Sequence, residues 1–248
     1  MRFETPLVRG TLLRRYKRFL ADVRLDSGEE VTAHCANSGS MLSVDHPGSE
    51  VWLSRADKPG RRLAWTWELI RVGETLVGIN TARPNRIVAD AVVRGLIPEL
   101  AGYGAMRREV RYGRNSRIDL LLESAGRPTC LVEIKNVTLK RGSDDSGPVE
   151  FPDAVTTRGA KHLAELADAK RQGARAVMVF LAQRDDAERL AFASDIDSVY
   201  SQWLRIAVDA GVECFCYRCR ISPEEIAFDR RISIDLPVPA LADLTKTE

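Results

Sequence analysis

The stretch Ser116-Arg117-Ile118-Asp119-Leu120-Leu121-Leu122, a turn around Gly126-Arg127-Pro128, and Cys130-Leu131-Val132-Glu133-Ile134-Lys135-Asn136-Val137-Thr138-Leu139 decide how this chain is read. Each half carries a nearly continuous apolar run, the pattern of a strand covered on both faces of its sheet. Asp119, Glu133 and Lys135 are set into those runs. Glu133 and Lys135 are two apart, so on a strand they project from one face. A hairpin register places Asp119, from the preceding strand, beside them. Two carboxylates and a lysine then converge inside an apolar hairpin, where charge is costly unless it is paired or bound to metal.

Two carboxylates, water and a substrate phosphate suit Mg²⁺ or Mn²⁺, hard cations that take oxygen ligands. Such a cation stabilises charge on a scissile phosphate and acidifies its water, and a neighbouring lysine holds the attacking water or neutralises an oxyanion. The same residues also fit a buried ion pair without chemistry, and Glu-x-Lys alone is a common tripeptide.

Upstream, residues 1–82 read as all-β. Short runs at Leu7–Leu13, Phe19–Leu25, Glu30–Cys35, Val51–Ala56, Leu63–Val72 and Thr75–Ile79 are punctuated by Asp26-Ser27-Gly28, Pro47-Gly48 and Pro59-Gly60. Five or six strands in this span predict a small barrel of the OB type. Its first hairpin is basic and aromatic (Arg9, Arg14, Arg15, Tyr16, Lys17, Arg18, Phe19), and Trp52, Trp65 and Trp67 follow. Cations that hold phosphates beside aromatics that stack on bases suit single-stranded nucleic acid. A barrel core with a solvated cationic rim gives the same pattern. The turn His34-Cys35-Ala36-Asn37-Ser38-Gly39-Ser40-Met41 supplies half a zinc site at best. It reads as a loop that hydrogen-bonds itself or a phosphate.

Downstream, Pro84 opens a helix whose apolar path runs through Ile87, Val88, Ala91 and Val92 to Leu96, Ile97 and Leu100. A strand at Met106–Tyr112 precedes the central hairpin, and the polar, Gly-rich segment Lys140–Ala154 reads as a loop beside the candidate site. Helices over Thr156–Gln172 and Asp197–Ala210 end at Gly173 and Gly211, and strands occupy Ala176–Ala182 and Val212–Arg220. Arg158, Lys161 and His162 share one side of the first of these helices near its N-terminus, placed either to hold phosphate or to face solvent. Cys214, Cys216 and Cys219 lack an adjacent fourth ligand, and Cys214 and Cys216 read as pointing into the core from a buried strand. Residues 83–236 thus form a mixed sheet with helices on both faces, residues 237–248 a frayed tail, and the whole an α/β chain of two domains.

Composition agrees. The 248 residues are 44% apolar and 29% charged with a formal net charge of only +2, so affinity for nucleic acid has to come from local patches. Five irregularly placed cysteines, no apolar N-terminal leader and no membrane-length apolar run point to a cytoplasmic protein with free thiols.

Helix, three strands, helix, strand, with Asp119 on the second strand and Glu133-x-Lys135 on the third, resembles the minimal core of the PD-(D/E)xK nuclease superfamily. The chain as a whole is similar to the sugar fermentation stimulation protein A family. The resemblance rests on the following stretches:
Arg14-Arg15-Tyr16-Lys17-Arg18-Phe19-Leu20-Ala21-Asp22-Val23, the turn His34–Met41, Ser116–Asp119, Glu133–Leu139 and Phe151-Pro152-Asp153-Ala154-Val155-Thr156-Thr157-Arg158-Gly159-Ala160-Lys161-His162-Leu163. Ser38 stands where that family more often has Thr. The resemblance implies an OB-fold joined to a nuclease-like domain that binds DNA. Asp119 and Glu133, with the Ile134 backbone carbonyl, would be metal ligands and Lys135 the catalytic lysine. A further acid on the first helix often completes such sites; Glu99 matches that place best and Glu109 is its rival. The expected partners are DNA or RNA and no membrane, with homodimerisation left open. A non-catalytic DNA-binding regulator of sugar-utilisation genes is the alternative, and it would be marked by a broken Asp/Glu/Lys set.

Overall fold

The computed structural model describes residues 1–56, 62–113, 116–142 and 147–237. The expected tail from residue 238 onward lies outside them. The first strands are β1 (Val8–Tyr16), β2 (Leu20–Leu25), β3 (Glu30–Cys35), β4 (Glu50–Arg55), β5 (Trp65–Val72) and β6 (Thr75–Gly78). Antiparallel pairing of β3, β2, β1, β4 and β5 is closed by a parallel β3–β5 contact, the closed five-stranded barrel of an OB domain, and β6 extends it beyond β5. Alternate residues such as Leu12, Val23, Ala33, Leu53 and Trp67 fill its interior. Trp67 is fully buried, so it is core and no stacking platform.

The second domain comprises α1 (Arg83–Val93), β7 (Ala105–Tyr112), β8 (Ser116–Glu123), β9 (Cys130–Val137), β10 (Leu139–Lys140), β11 (Val149–Phe151), α2 (Thr157–Arg171), β12 (Arg175–Ala182), β13 (Arg189–Phe192), α3 (Ser198–Asp209), β14 (Glu213–Ile221) and β15 (Ile226–Ile234). Its sheet has the order β10-β11-β13-β15-β14-β12-β9-β8-β7, with β9, β12 and β14 parallel at the centre. Ile87 and Val88 of α1 pack on one face with Leu120, Val132, Ile134 and Val179. Leu163 and Leu166 of α2 and Tyr200 and Leu204 of α3 pack on the other with Leu131, Met178 and Phe180. Strands buried on both faces explain the continuous apolar runs. Side chains cap both later helices: Thr156 accepts from Gly159 N–H at 3.1 Å and Asp197 from Tyr200 N–H at 2.9 Å.

Several expectations are corrected. The first helix stops at Val93, and Gly95 turns the chain at φ 70°; Ile97 and Leu100 are then buried from a separate 3₁₀ turn. The expected Lys140–Ala154 loop includes β11, which pairs with β13, two short strands among polar residues that periodicity does not resolve. Residues Met1 to Phe3 leave the barrel side and bond to Glu224 and Ile226, at the edge of the second domain. Among the described residues no helix is long and apolar enough to cross a membrane.

The domains are joined around Glu68, which is 0% exposed on β5. Its carboxylate accepts from Ser54 Oγ at 2.8 Å, Asn80 Nδ2 at 2.9 Å and Arg83 Nε at 3.0 Å, tying the barrel to the first residue of α1. Replacing Glu68 by Ala should cost about 3 kcal/mol in urea unfolding, because the buried donors lose a charged acceptor. A loss below about 1 kcal/mol would show that the junction does not depend on it.

Candidate active site

The site begins where β8 leaves β9. Their ladder pairs Leu122 with Cys130, Leu121 with Leu131 and Leu120 with Val132, and stops there. Asp119 is next, and its Oδ2 accepts the Ile134 backbone N–H at 2.7 Å, taking the place of a strand partner. Its Oδ1 accepts from Asn85 Nδ2 at 2.7 Å, on the first turn of α1. The same Asn85 amide lies 3.3 Å from Glu109 Oε1.

Glu133 is 3% exposed. One oxygen, Oε1, takes both of its contacts: Lys135 Nζ at 2.7 Å and His162 Nδ1. The other, Oε2, is buried with no hydrogen-bond partner, as are the Tyr112 hydroxyl and Glu165 Oε2. The His162 Nε2 accepts from Arg158 Nε at 3.3 Å, so Nδ1 carries the proton given to Glu133. Burial and the neighbouring Glu133 charge push the Asp119 carboxyl from 3.8 up to about 6, against the pull of the Ile134 N–H and Lys135. Burial also works against the charge on Glu133, but the His162 hydrogen bond and Lys135 outweigh it and hold that carboxyl below its ordinary value. Burial and the charges of Glu133, Glu165 and Asp119 raise the Tyr112 phenol.

Lys135, Ile134 and Asn85 open onto a cleft of about 480 Å³ between the domains, walled by Arg18 and Asn37–Gly39 on the barrel side and by Phe151–Thr156 and Arg158 opposite. Asp153 closes one end, its Oδ2 accepting the Met41 N–H at 3.0 Å while its carbonyl accepts from Ser40. Among the described residues no group of three or more His, Cys, Asp or Glu side chains has a ligand-like arrangement. The Asp119 and Glu133 carboxylates do not line this cleft; with the Ile134 carbonyl between them they are oxygen donors of the kind Mg²⁺ takes. The partnerless Glu133 oxygen fits such an ion, since a buried charged oxygen is costly without one.

Thus Asp119, Glu133, Ile134 and Lys135 come together as expected. Glu99 does not join them. It sits in the 3₁₀ turn, bonded at 2.5 Å to both Tyr217 of β14 and Arg231 of β15, and β14 lies three strand positions from β8, roughly 14 Å away. Glu109, through Asn85, is the acid near Asp119. His162 is buried against Glu133 and does not line the cleft; Arg158 is engaged with it, and Lys161 lies 3.7 Å from Glu165. Arg15 is also corrected: its guanidinium donates to the carbonyls of Asn37, Gly39 and Ser40 and clamps the loop. Arg14 and Tyr16 both bond Asp22, and Arg18 donates to the Ser38 carbonyl. Lys17 is exposed at the hairpin tip. The cysteines are free; Cys216 and Cys219 are core thiols, and burial raises the pKa of both. Sequence reading missed Asn85, on the turn after Pro84, and Glu165, three residues after His162 on the same helix face.

Fold and site define a two-domain class, an OB barrel followed by a nuclease-like α/β domain. Residues 13–79 match the family described as SfsA N-terminal OB domain, and residues 82–225 that described as Sugar fermentation stimulation protein RE domain. The chain belongs to the sugar fermentation stimulation protein (SfsA) family. It is 58% identical to the homolog of Paramagnetospirillum magneticum over 99% of both chains, and 57% identical to that of Rhodospirillum rubrum over 90% of this chain and 94% of the relative. Its fold matches the solved SfsA of Pyrococcus furiosus, described as a complex with Ca²⁺, with a TM-score of 0.85, 25% identity, and coverage of 95% of this chain and 98% of that one.

An aspartate whose carboxyl titrates at about 6 when folded and 3.8 when unfolded binds more protons in the folded state between those values. Stability conferred on the metal-free protein is therefore lost as pH rises through that window. Replacing Asp119 by Asn should raise stability in EDTA at pH 8 by on the order of 1–2 kcal/mol and leave it little changed at pH 4. A loss of stability at pH 8 would mean that Asp119 is a net stabilising acceptor.

Proposed function

We propose that this protein is a divalent-metal-dependent nuclease that hydrolyses phosphodiester bonds of DNA or RNA, with Mg²⁺ or Mn²⁺ as its cofactor. The observation that carries the reading is the unequal pair of Glu133 oxygens, one saturated and one buried without a partner, beside an Asp119 carboxylate pressed into the same sheet. The Pyrococcus furiosus relative is described as a complex with Ca²⁺, a hard cation that takes oxygen donors of this kind, which supports divalent-cation binding by this chain. When bound, the cation supplies a more acidic water and neutralises phosphate charge.

The chain's own groups do the rest. Asp119 and Glu133 hold the cation, with the Ile134 carbonyl as third protein donor. His162, its tautomer set by Arg158, fixes the Glu133 rotamer so that Oε2 stays directed away from the saturated side. Lys135, 16% exposed, opens onto the cleft and is placed to orient water or to neutralise a developing oxyanion. Arg18 and the Asn37–Gly39 loop of the barrel wall the path along which substrate reaches Lys135.

The test is cleavage of single- and double-stranded DNA and RNA by purified protein with Mg²⁺, Mn²⁺ or EDTA. Metal-dependent cutting that falls about 10²–10³-fold in Lys135→Ala is the expected result. Salt-sensitive binding without cutting in any metal would favour the regulatory DNA-binding reading. His162→Ala should weaken Mn²⁺ binding about 10–100-fold in titration calorimetry, and His162→Asn, which keeps a donor near the Nδ1 position, should recover most of it. Equal loss in both variants would remove His162 from any positioning role.

A further inference from the structure

We infer that the outer face of the β7–β8 hairpin docks the phosphodiester backbone of a nucleic acid, with Arg108, Arg111 and Arg117 as its phosphate contacts. This rests on the proposed function and adds the surface that would carry the substrate.

The first observation is a change of face in both strands. Met106 packs with the α1-side core, whereas Val110 and Tyr112, of the same parity on β7, pack with the α2-side core. On β8, Leu120 and Leu122 belong to the α1-side core and Ile118 to the other. Residues of equal parity should share a face. Both strands therefore flip between Arg108 and Val110 and between Ile118 and Leu120, where Glu109 has a φ of 54° and Asp119 turns toward β9. Because of the flip, Arg108 before it and Arg111 and Arg117 after it all project on the α1 side, and all are exposed. They span roughly 10 Å along the strand.

The second observation is their lack of partners. Arg111 and Arg117 are direct cross-strand neighbours, a placement of like charges that destabilises a sheet. Among the described residues neither they nor Arg108 makes an ion pair or side-chain hydrogen bond. Arg107 on the same strand is held by Glu123 at 2.9 and 3.0 Å. The acid within the row, Glu109, lies 3.3 Å from the Asn85 amide that also bonds Asp119. The barrel hairpin is the reverse case: Arg9, Arg14, Arg15 and Arg18 are all bonded within the protein. A row of unneutralised guanidiniums that costs the fold something, beside the candidate catalytic carboxylates, fits an extended polyanion.

The test measures binding of a 5′-labelled duplex DNA and its single strand by the full-length chain in EDTA over a series of KCl concentrations. The triple variant Arg108→Ala, Arg111→Ala, Arg117→Ala should flatten the log K against log salt slope on duplex by roughly 2–3 and weaken binding at least about tenfold. A charge-matched triple on α2, β13 and α3 (Arg171→Ala, Arg189→Ala, Arg205→Ala) should change neither. Arg111→Glu should raise thermal stability, since it pairs with Arg117, and still weaken binding. Wild-type binding with an unchanged slope in the triple variant would overturn this inference and leave the nuclease reading standing. Equal weakening by both triples would also overturn it, as an effect of net charge. No wild-type binding to either DNA in EDTA would overturn this inference, and metal-dependent cutting would still decide the nuclease reading.

Discussion

Two carboxylates held within a hydrophobic sheet, the charge of Glu133 raising the cost of ionising Asp119, are the constraint around which this protein is arranged. Asp119 and Glu133 would be tolerated in an ordinary core only if each were fully partnered. Here the partnering is deliberately unequal. The Ile134 N–H and Asn85 hold Asp119, while Lys135 and His162 both crowd onto a single oxygen of Glu133. The groups that position these charges come from three elements, Asn85 from α1, Ile134 and Lys135 from β9 and His162 from α2, and Asp119 itself is carried on β8. The layered architecture is therefore what brings the pair together, and the pair in turn explains why β8 gives up its ladder to β9 after Leu120.

The barrel contributes shape more than charge. Its basic hairpin suggested a binding face, yet Arg15 clamps the Asn37–Ser40 loop and Arg18 reaches the Ser38 carbonyl. That loop, fixed further by Asp153, becomes one wall of the cleft onto which Lys135 opens. Rigid walls around a site restrict how a substrate can approach, which is how a barrel with few free cations can still govern access.

The apolar runs of β9 and β12, the helices over α2 and α3 with their glycine stops, and the Asp119/Glu133/Lys135 set were all legible in the sequence, because each is a local pattern. What was not legible depends on contacts far apart in the chain. Nothing around Arg15 indicates that it will bind carbonyls more than twenty residues away, and nothing around His162 tells a phosphate ligand from a buried partner of Glu133. Glu99 fails for a related reason. The apolar path beyond Val93 continues at helical spacing, but Gly95 turns the chain and carries Glu99 to Tyr217 and Arg231. The strands β13 and β15 were missed because β13 is only four residues long and the apolar residues of β15 are interrupted by Asp229, Arg230 and Arg231.

The face change at Glu109 and Asp119 is the least legible feature and the most consequential. Strict alternation would place Arg108 and Arg111 on opposite faces of β7 and Asp119 on the face of Leu121, toward α2. A left-handed φ at a glutamate is uncommon and is sustained only where surrounding contacts over-determine it. Here those contacts are the Asn85 amide on α1 and the packing of Val110 and Ile118 into the second core. One local departure therefore does two things: it turns the Asp119 carboxylate toward the Ile134 N–H, and it lines up guanidiniums that a regular hairpin would divide. A chain with a net charge of only +2 can in this way keep a concentrated positive field beside its carboxylates, because position rather than total charge decides where an anion is drawn.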